Sequence, residues 1–226
     1  MASRVVALVA AHDEAARVGA AVSALADIVD EVVVVDDGSE DGTSSVALVA
    51  GATVLRASRR RGKGRAVDEA IDRLPPAGIW LLADADLGDT ASHLGALVDA
   101  VREDRTDVAI AAFPRLSGGG FGLVKRTAGG LIRFASGFRA SEPLSGQRAL
   151  TAAAFAAVRP LASGFGMETA MTIDAVRAGL RVVEIPIDGL AHRPTGRGAR
   201  GFAHRARQGV DILVAVAARL GGRRRR

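Results

Sequence analysis

The first half of the chain alternates short apolar runs with stretches of helical spacing five times, a rhythm that few architectures accept. Val5 to Ala11 is apolar and β-branched. It is followed by His12-Asp13-Glu14 and then by Ala16, Val18, Val22, Leu25 and Ile28, spaced along one helix face. Glu31 to Val35 repeats the strand signal, and the polar turn Asp36 to Thr43 predicts a capped helix starting near Thr43. Ala52 to Arg56 reads as a third strand. The basic, glycine-containing loop Arg59 to Arg65 leads into a helix over Ala66 to Leu74, which Pro75-Pro76 stops. Ile79 to Ala83 is a fourth strand, a helix runs from about Ala91 to Arg102, and Val108 to Ala112 is a fifth strand. This pattern predicts an α/β fold, a doubly wound and mostly parallel sheet flanked by helices. Right-handed crossovers then put the carboxyl ends of the strands on one edge, where ligands of such sheets bind.

That edge collects His12, Glu14, Asp37, the Lys63 loop and the pair Asp84 and Asp86. The apolar run Ile79 to Ala83 ends abruptly in Asp84-Ala85-Asp86. If the segment stays extended, side chains at i and i+2 point the same way and both carboxylates face one hard cation such as Mg²⁺ or Mn²⁺. A polar strand-to-loop turn is the plainer alternative, since Asp is common in turns. Lys63 stands out because only it and Lys125 are lysines among 30 basic residues.

The second half is less regular. Ser117 to Gly122 breaks the alternation, and a helix is expected over Lys125 to Phe138. Glu142 to Arg148 reads as a polar turn, Ser163 to Glu168 leads a helix to Ala178, and Arg181 to Pro186 is a strand. His192 to Arg207 holds two His and five Arg, ahead of an apolar helix over Val210 to Leu220 and the basic run Arg223 to Arg226.

Composition narrows the partners. With no cysteine, disulfides, thiolate metal sites and a cysteine nucleophile are excluded. Net charge is +5, of which Arg223 to Arg226 supply four, and aromatics are only 4% and not interleaved with the basic residues, so no nucleic-acid partner is expected. No export signal opens the sequence and no run approaches the ~20 apolar residues of a spanning helix, so a cytoplasmic protein is expected.

As an ordered set, Val9-Ala10-Ala11-His12-Asp13-Glu14, Val35-Asp36-Asp37-Gly38-Ser39-Glu40-Asp41-Gly42-Thr43, Gly62-Lys63-Gly64-Arg65-Ala66 and Asp84-Ala85-Asp86 resemble the family 2 glycosyltransferases of the GT-A fold. Polyprenyl- and dolichol-phosphate sugar synthases and glucosyl-3-phosphoglycerate synthase are particularly similar. Ser145-Gly146-Gln147-Arg148, Gly164-Phe165-Gly166-Met167-Glu168 and His192 extend the match into the second half. The first loop departs from the usual Pro-Ala-Tyr-Asn-Glu-Glu, keeping only Ala11 and Glu14.

The resemblance implies a single domain over residues 1–222, with a nucleotide-binding half (1–113), an acceptor-binding half (114–222) and a basic tail (223–226). It implies a nucleotide diphosphate sugar donor, a UDP- or GDP-sugar, lined by Ala10, Ala11, His12, Glu14, Asp37, Lys63, Gly64, Asp84 and Ala85. Mg²⁺ or Mn²⁺ would be held by Asp86 and His192 with Asp84 nearby, and would act on the departing diphosphate. Asp86, Glu168 and Arg148 are the candidate catalytic residues. Glu168 could serve as base toward a hydroxyl or orient the acceptor. Arg148, Arg193, Arg197 and Arg200 are candidate clamps for a phosphorylated acceptor, either a polyprenyl phosphate or a small acid such as 3-phosphoglycerate. A phosphate monoester, with a second pKa of about 6, is already largely ionised and needs arginines more than a base. The competing readings are a nucleotidyltransferase, which would place a glycine-rich basic signature where His12-Asp13-Glu14 stands, and a non-catalytic nucleotide-sugar-binding module. The Val210 to Leu220 helix with its arginines also allows peripheral contact with the inner face of a membrane, or packing in a homodimer.

Overall fold

The computed structural model describes residues 3–113, 122–190 and 199–221. Among the described residues seven strands form one sheet: β1 (Val5–Ala11), β2 (Glu31–Asp36), β3 (Thr53–Arg56), β4 (Ile79–Asp84), β5 (Val108–Ala112), β6 (Arg148–Thr151) and β7 (Val182–Pro186), in the order β3-β2-β1-β4-β6-β5-β7. The same described residues contain the α-helices α1 (Ala15–Ala26), α2 (Thr43–Val49), α3 (Lys63–Ile71), α4 (Gly95–Arg102), α5 (Gly122–Ser136), α6 (Ala152–Ala157), α7 (Met167–Arg177) and, after the last strand, α8 (Ala199–Gly221).

Alternation along β1 shows how the sheet is buried on both sides. Val5, Ala7, Val9 and Ala11 join one core cluster with α1 and α4, whereas Val6 and Leu8 join another with α6 and α7. Trp80 and Phe155 meet in the second cluster with ring centroids 5.9 Å apart. A third, smaller cluster is made where α5, α7 and α8 meet, through Ala128, Ile132, Ile173, Ile212 and Val216.

The parallel, doubly wound expectation holds with one insertion. β6 runs antiparallel to both β4 and β5 and separates them, while β1, β2, β3 and β4 pair in parallel and β7 is parallel to β5. The stretch ending in Arg148, expected as a turn, therefore passes straight into a central strand. That strand is only four residues long, too short for its alternation to stand out, although Ala149 and Leu150 do face opposite clusters. Thr151 ends it and caps α6, its hydroxyl accepting the Ala154 N–H at 3.1 Å. Because β6 and β7 come from the second half of the sequence and pair with strands of the first, both halves share one sheet.

Several boundaries differ from the sequence reading, three of them at the site or in the arginine-rich stretch. α3 begins at Lys63 itself rather than at Ala66. The helix expected from Ala91 starts as a 3₁₀ segment over Ala85–Leu94, broken at Gly88 by a left-handed φ of 55°. The last helix begins at Ala199 rather than Val210, so half of the arginine-rich stretch is helical.

Candidate active site

Strand register brings the polar residues together. Ala10 pairs with Val35 on one side and Asp84 on the other, and Ala11 pairs with Asp36, so β1, β2 and β4 end at one level. The loops beyond that level are laced by hydrogen bonds. The N–H of Asp37 donates to Ala11 O (2.9 Å), that of Glu14 to Thr43 Oγ1 (2.9 Å), that of Ala15 to Asp41 Oδ2 (3.1 Å) and that of Glu40 to Asp13 Oδ1 (2.9 Å). Asp36 anchors the second loop. Fully buried, it accepts the Ser39 N–H at 2.8 Å and the Ser44 hydroxyl. Burial alone would raise its pKa, but those bonds, with Arg56 nearby, hold it below the ordinary 3.8.

A polar cleft of about 700 Å³ opens past the ends of β1, β2 and β3, lined by His12, Asp13, Ser39, Arg56, Arg59 and Arg60 among others. It has the size of a small-molecule site. His12 Nδ1 sits 3.1 Å from Asp37 O at its wall. Gly38, at φ 74°, lets the loop after β3 close on it, because a Cβ there would lie 2.7 Å from the Arg59 and Arg60 backbone.

Next to this cleft lies an ion cluster at the end of β4. Lys63 Nζ, at the first residue of α3, is 2.7 Å from Asp84 Oδ1 and 3.1 Å from Glu168 Oε1 in the first turn of α7. Gln147 Nε2 donates to Asp84 Oδ2 at 2.8 Å. Burial works against the Lys63 charge, but Asp84 and then Glu168 outweigh it and hold its pKa above the ordinary 10.5, so it remains an ammonium. Gly146 closes the cluster from the loop before β6. A Cβ there would come within 2.4 Å of Lys63 Nζ and 2.8 Å of Asp84 Oδ2.

Several expected roles are corrected by this geometry. The Asp84 and Asp86 side chains do not project from one extended segment. Asp84 is extended (φ −101°, ψ 140°), whereas Asp86 lies in the first turn of the 3₁₀ segment, and both Asp84 oxygens are already engaged. Asp37 anchors the Lys63 loop, its oxygens taking the Arg61 N–H at 2.6 Å and the Gly62 N–H at 2.7 Å, with lone pairs remaining on the carboxylate. Gly64 serves packing, since a Cβ there would meet Ala162 O at 2.0 Å. Ala85 is buried in the core and turns no side chain to the cleft. Arg148 is fully buried on β6, donating from Nε to Ser145 O (3.0 Å) and from Nη1 to Thr172 Oγ1 (2.9 Å), which rules it out as a surface phosphate clamp in this arrangement. Burial pushes it down to about 10 despite Glu168 and Glu184.

His192, Arg193 and Arg197 lie outside the described residues, as does the Arg200 side chain. Two participants had no role in the sequence reading, Gln147 and Gly146. Their only signal was membership of Ser145-Gly146-Gln147-Arg148, because nothing in a polar turn reveals that it will fold across the end of β4.

The donor set suits a hard divalent ion. Among the described residues no three His, Cys, Asp or Glu side chains converge as a closed site. Asp86 stands two residues beyond Asp84, whose own oxygens are taken by Lys63 and Gln147, and carboxylate oxygen is the ligand type that a hard divalent ion prefers. The formal charges of Lys63, Asp84, Asp86 and Glu168 leave this region negative by two, which favours a divalent cation and disfavours a bare diphosphate.

Residues 6–156 match glycosyl transferase family 2. Glycosyltransferase AglJ of Haloferax volcanii is 31% identical over 159 residues, covering 69% of this chain and 52% of its own length. Glycosyltransferase AglD of the same organism is 30% identical over 174 residues, covering 70% of this chain and 27% of its own length. The chain thus spans about half of the first relative and about a quarter of the second. Among solved structures, glucosyl-3-phosphoglycerate synthase from Mycobacterium tuberculosis with Mn²⁺, UDP and glucosyl-3-phosphoglycerate superposes with a TM-score of 0.80 at 23% identity, over 97% of this chain and 80% of that one. The same enzyme with Mg²⁺ and UDP gives 0.79 at 22% identity, again over 97% and 80%. The shared arrangement is the GT-A fold.

Proposed function

The chain belongs to glycosyl transferase family 2, and from that premise we propose that it moves a sugar from a nucleotide diphosphate sugar to a phosphorylated acceptor with the help of a divalent cation. The observation that carries this reading is the charge pattern at the end of β4, where a permanent ammonium is held between two carboxylates and a further carboxylate stands two residues on. The solved relatives that bind Mn²⁺ or Mg²⁺ with UDP, and phosphoglyceric acid as a further ligand, support the same class of donor and acceptor.

Each residue then has a task. The cleft beside His12, Ser39 and Arg56 receives the base and ribose, and Asp37 keeps the Lys63 loop against it. Asp86 and His192 would hold the cation, with Asp84 fixed beside them by Lys63 and Gln147, and the cation would supply Lewis-acid stabilisation to the leaving diphosphate. Lys63 keeps its charge throughout the neutral range and therefore serves as a fixed cation, not a proton shuttle. Glu168, on the helix opposite Asp84, orients the acceptor, because its Oε1 is tied to Lys63 and its side chain is only 11% exposed.

The test is a screen of UDP- and GDP-sugars against 3-phosphoglycerate and polyprenyl phosphate, with and without Mn²⁺ or Mg²⁺. Cation-dependent product with one of these acceptors is expected. Hydrolysis or transfer that is indifferent to chelation would overturn the cation's role, and nucleotide release without any sugar product would overturn transfer.

A further inference from the structure

We propose that Arg159 is a positioning residue, which fixes the distance between Lys63 and Glu168 by holding α3 against the segment that leads into α7. Lys63 is the first residue of α3, and Glu168 lies in the first turn of α7. Their 3.1 Å contact joins elements that are 105 positions apart in sequence, so it is only as well defined as the packing of one element on the other.

That packing runs along one side of α3. Gly64, Asp68 and Asp72 recur at every fourth position and therefore line the same side of the helix and of the turn that ends it. Residues 159–162 lie against them. At the start of α3 the two backbones nearly touch, since a Cβ on Gly64 would lie 2.0 Å from Ala162 O and 3.4 Å from Met167 Sδ. Val67, Leu161 and Met167 share an apolar cluster beside this contact. At the far end the hold is polar. Arg159 donates from Nε to Asp68 Oδ1 (2.7 Å), from Nη1 to Asp72 Oδ1 (2.8 Å) and from Nη2 to Asp68 O (2.8 Å), and the Leu161 N–H reaches Asp68 Oδ1 at 3.3 Å.

Apolar contact tolerates a small slide or tilt, whereas a planar fork across two carboxylates and a carbonyl sets both position and angle. Arg159 is thus the part of the join that fixes register. Among the described residues its side-chain hydrogen bonds go to α3 and the turn after it, and none goes to the Lys63, Asp84 and Glu168 cluster. Its effect on that cluster passes through the placement of Lys63 and Glu168. A displacement of about 1 Å in a reacting arrangement can cost about 10²-fold in rate, so such a remote clamp can matter.

Lys63 and Lys125 are the only lysines, so ¹³C-labelled lysine gives two sites to read by NMR, and Lys125→Arg assigns them. In the wild type the ε-methylene protons of Lys63 should be distinct, as in a side chain held in one rotamer. Arg159→Ala and Asp68→Ala change the net charge in opposite directions, yet both should shift and merge the Lys63 signals while those of Lys125 stay in place. Arg159→Lys, which keeps the charge but not the fork, should do so in part. Arg181→Ala removes a similar fork, onto Asp104, Asp107 and the Asp104 carbonyl where β5 and β7 begin, and should leave Lys63 as it is.

The kinetic arm rests on the proposed sugar transfer. Arg159→Ala should lower kcat/KM about tenfold, and should lower it no further once Lys63 is already alanine. Lys63 signals that stay unchanged in Arg159→Ala, or that move in opposite directions in Arg159→Ala and Asp68→Ala, would overturn the proposal. So would a full further loss of activity in the Lys63→Ala background, the mark of a merely structural role. A wild type that transfers no sugar would overturn the proposed function instead, and the NMR comparison would then decide the role of Arg159 by itself.

Discussion

Lys63 and Glu168 are 105 positions apart in sequence, yet the Lys63 ammonium lies 3.1 Å from Glu168 Oε1. The contact spans the site. Lys63 starts α3 beside the polar cleft, Glu168 lies in the first turn of α7 in the second half, and Asp84 completes the cluster from the central strand at 2.7 Å. One cation thus joins the first and second halves of the sequence.

Removing that cation should be costly to function. In Lys63→Ala, the Asp84 and Glu168 carboxylates lose the charge between them, and kcat/KM should fall about 10²-fold or more, the scale for losing one charge-stabilising donor. Steady-state kinetics checks this. Because the loss of the ammonium leaves the site more negative, the variant should saturate its residual activity at lower Mn²⁺ or Mg²⁺ than the wild type does. Wild-type activity in Lys63→Ala would remove the ammonium from the mechanism.

Gly146→Ala should separate function from stability. The new Cβ would crowd Lys63 Nζ at 2.4 Å and Asp84 Oδ2 at 2.8 Å. The lysine end is flexible and can withdraw, so thermal stability should drop by about 1 kcal/mol or less. Withdrawal breaks the ion cluster, however, and activity should fall much as it does in Lys63→Ala. Thermal melts and kinetics on the same preparation test both halves.

Two other glycines should respond in opposite directions. At Gly64 a Cβ would strike the Ala162 carbonyl at 2.0 Å, and backbone cannot step aside as a side chain does, so Gly64→Ala should cost about 1–3 kcal/mol. At Gly130, inside α5, a Cβ meets nothing within 4 Å, and Gly130→Ala should add about 0.5–1 kcal/mol through helix propensity. Denaturant unfolding of the two variants measures the difference.

Asp36 gives stability a pH dependence of known sign. Its folded pKa lies below the ordinary 3.8, so its contribution is fully present above that value and is lost as pH falls through the folded one. Asp36→Asn should lower stability at neutral pH, because a neutral amide cannot accept from both Ser39 N–H and Ser44 as the carboxylate does. It should also flatten the acid limb of the stability profile below about pH 4. Parallel acid limbs in the two proteins would contradict the assignment.

Much of this was legible in the sequence because it rests on periodicity. β1, β5 and α2 fall where Val5 to Ala11, Val108 to Ala112 and Thr43 predicted, since long apolar runs and turn residues encode local structure directly. The convergence of His12, Asp37, Lys63 and Asp84 at one edge followed from the parallel topology. What escaped was whatever depends on partners far away in the chain. β6 is four residues whose strand character comes from its neighbours β4 and β5. Arg148 resembled a phosphate ligand because a sequence does not display burial, and the anchoring of the Lys63 loop by Asp37 was hidden because its bonds go to backbone amides of Arg61 and Gly62. The Asp84/Asp86 pair was recognised as a unit, but its relative orientation turns on the 3₁₀ segment that starts between them.

The most direct test of the central claim is titration of UDP and GDP into the wild type and Asp86→Ala, each with Mn²⁺ and with chelator. With the region around β4 formally negative by two, the wild type should bind at least one of the nucleotides strongly only when the cation is present, and Asp86→Ala should lose that cation dependence and the tight binding together while keeping its Tm. Equal nucleotide affinity in the wild type with and without cation, or an Asp86→Ala variant that binds as the wild type does, would contradict the account.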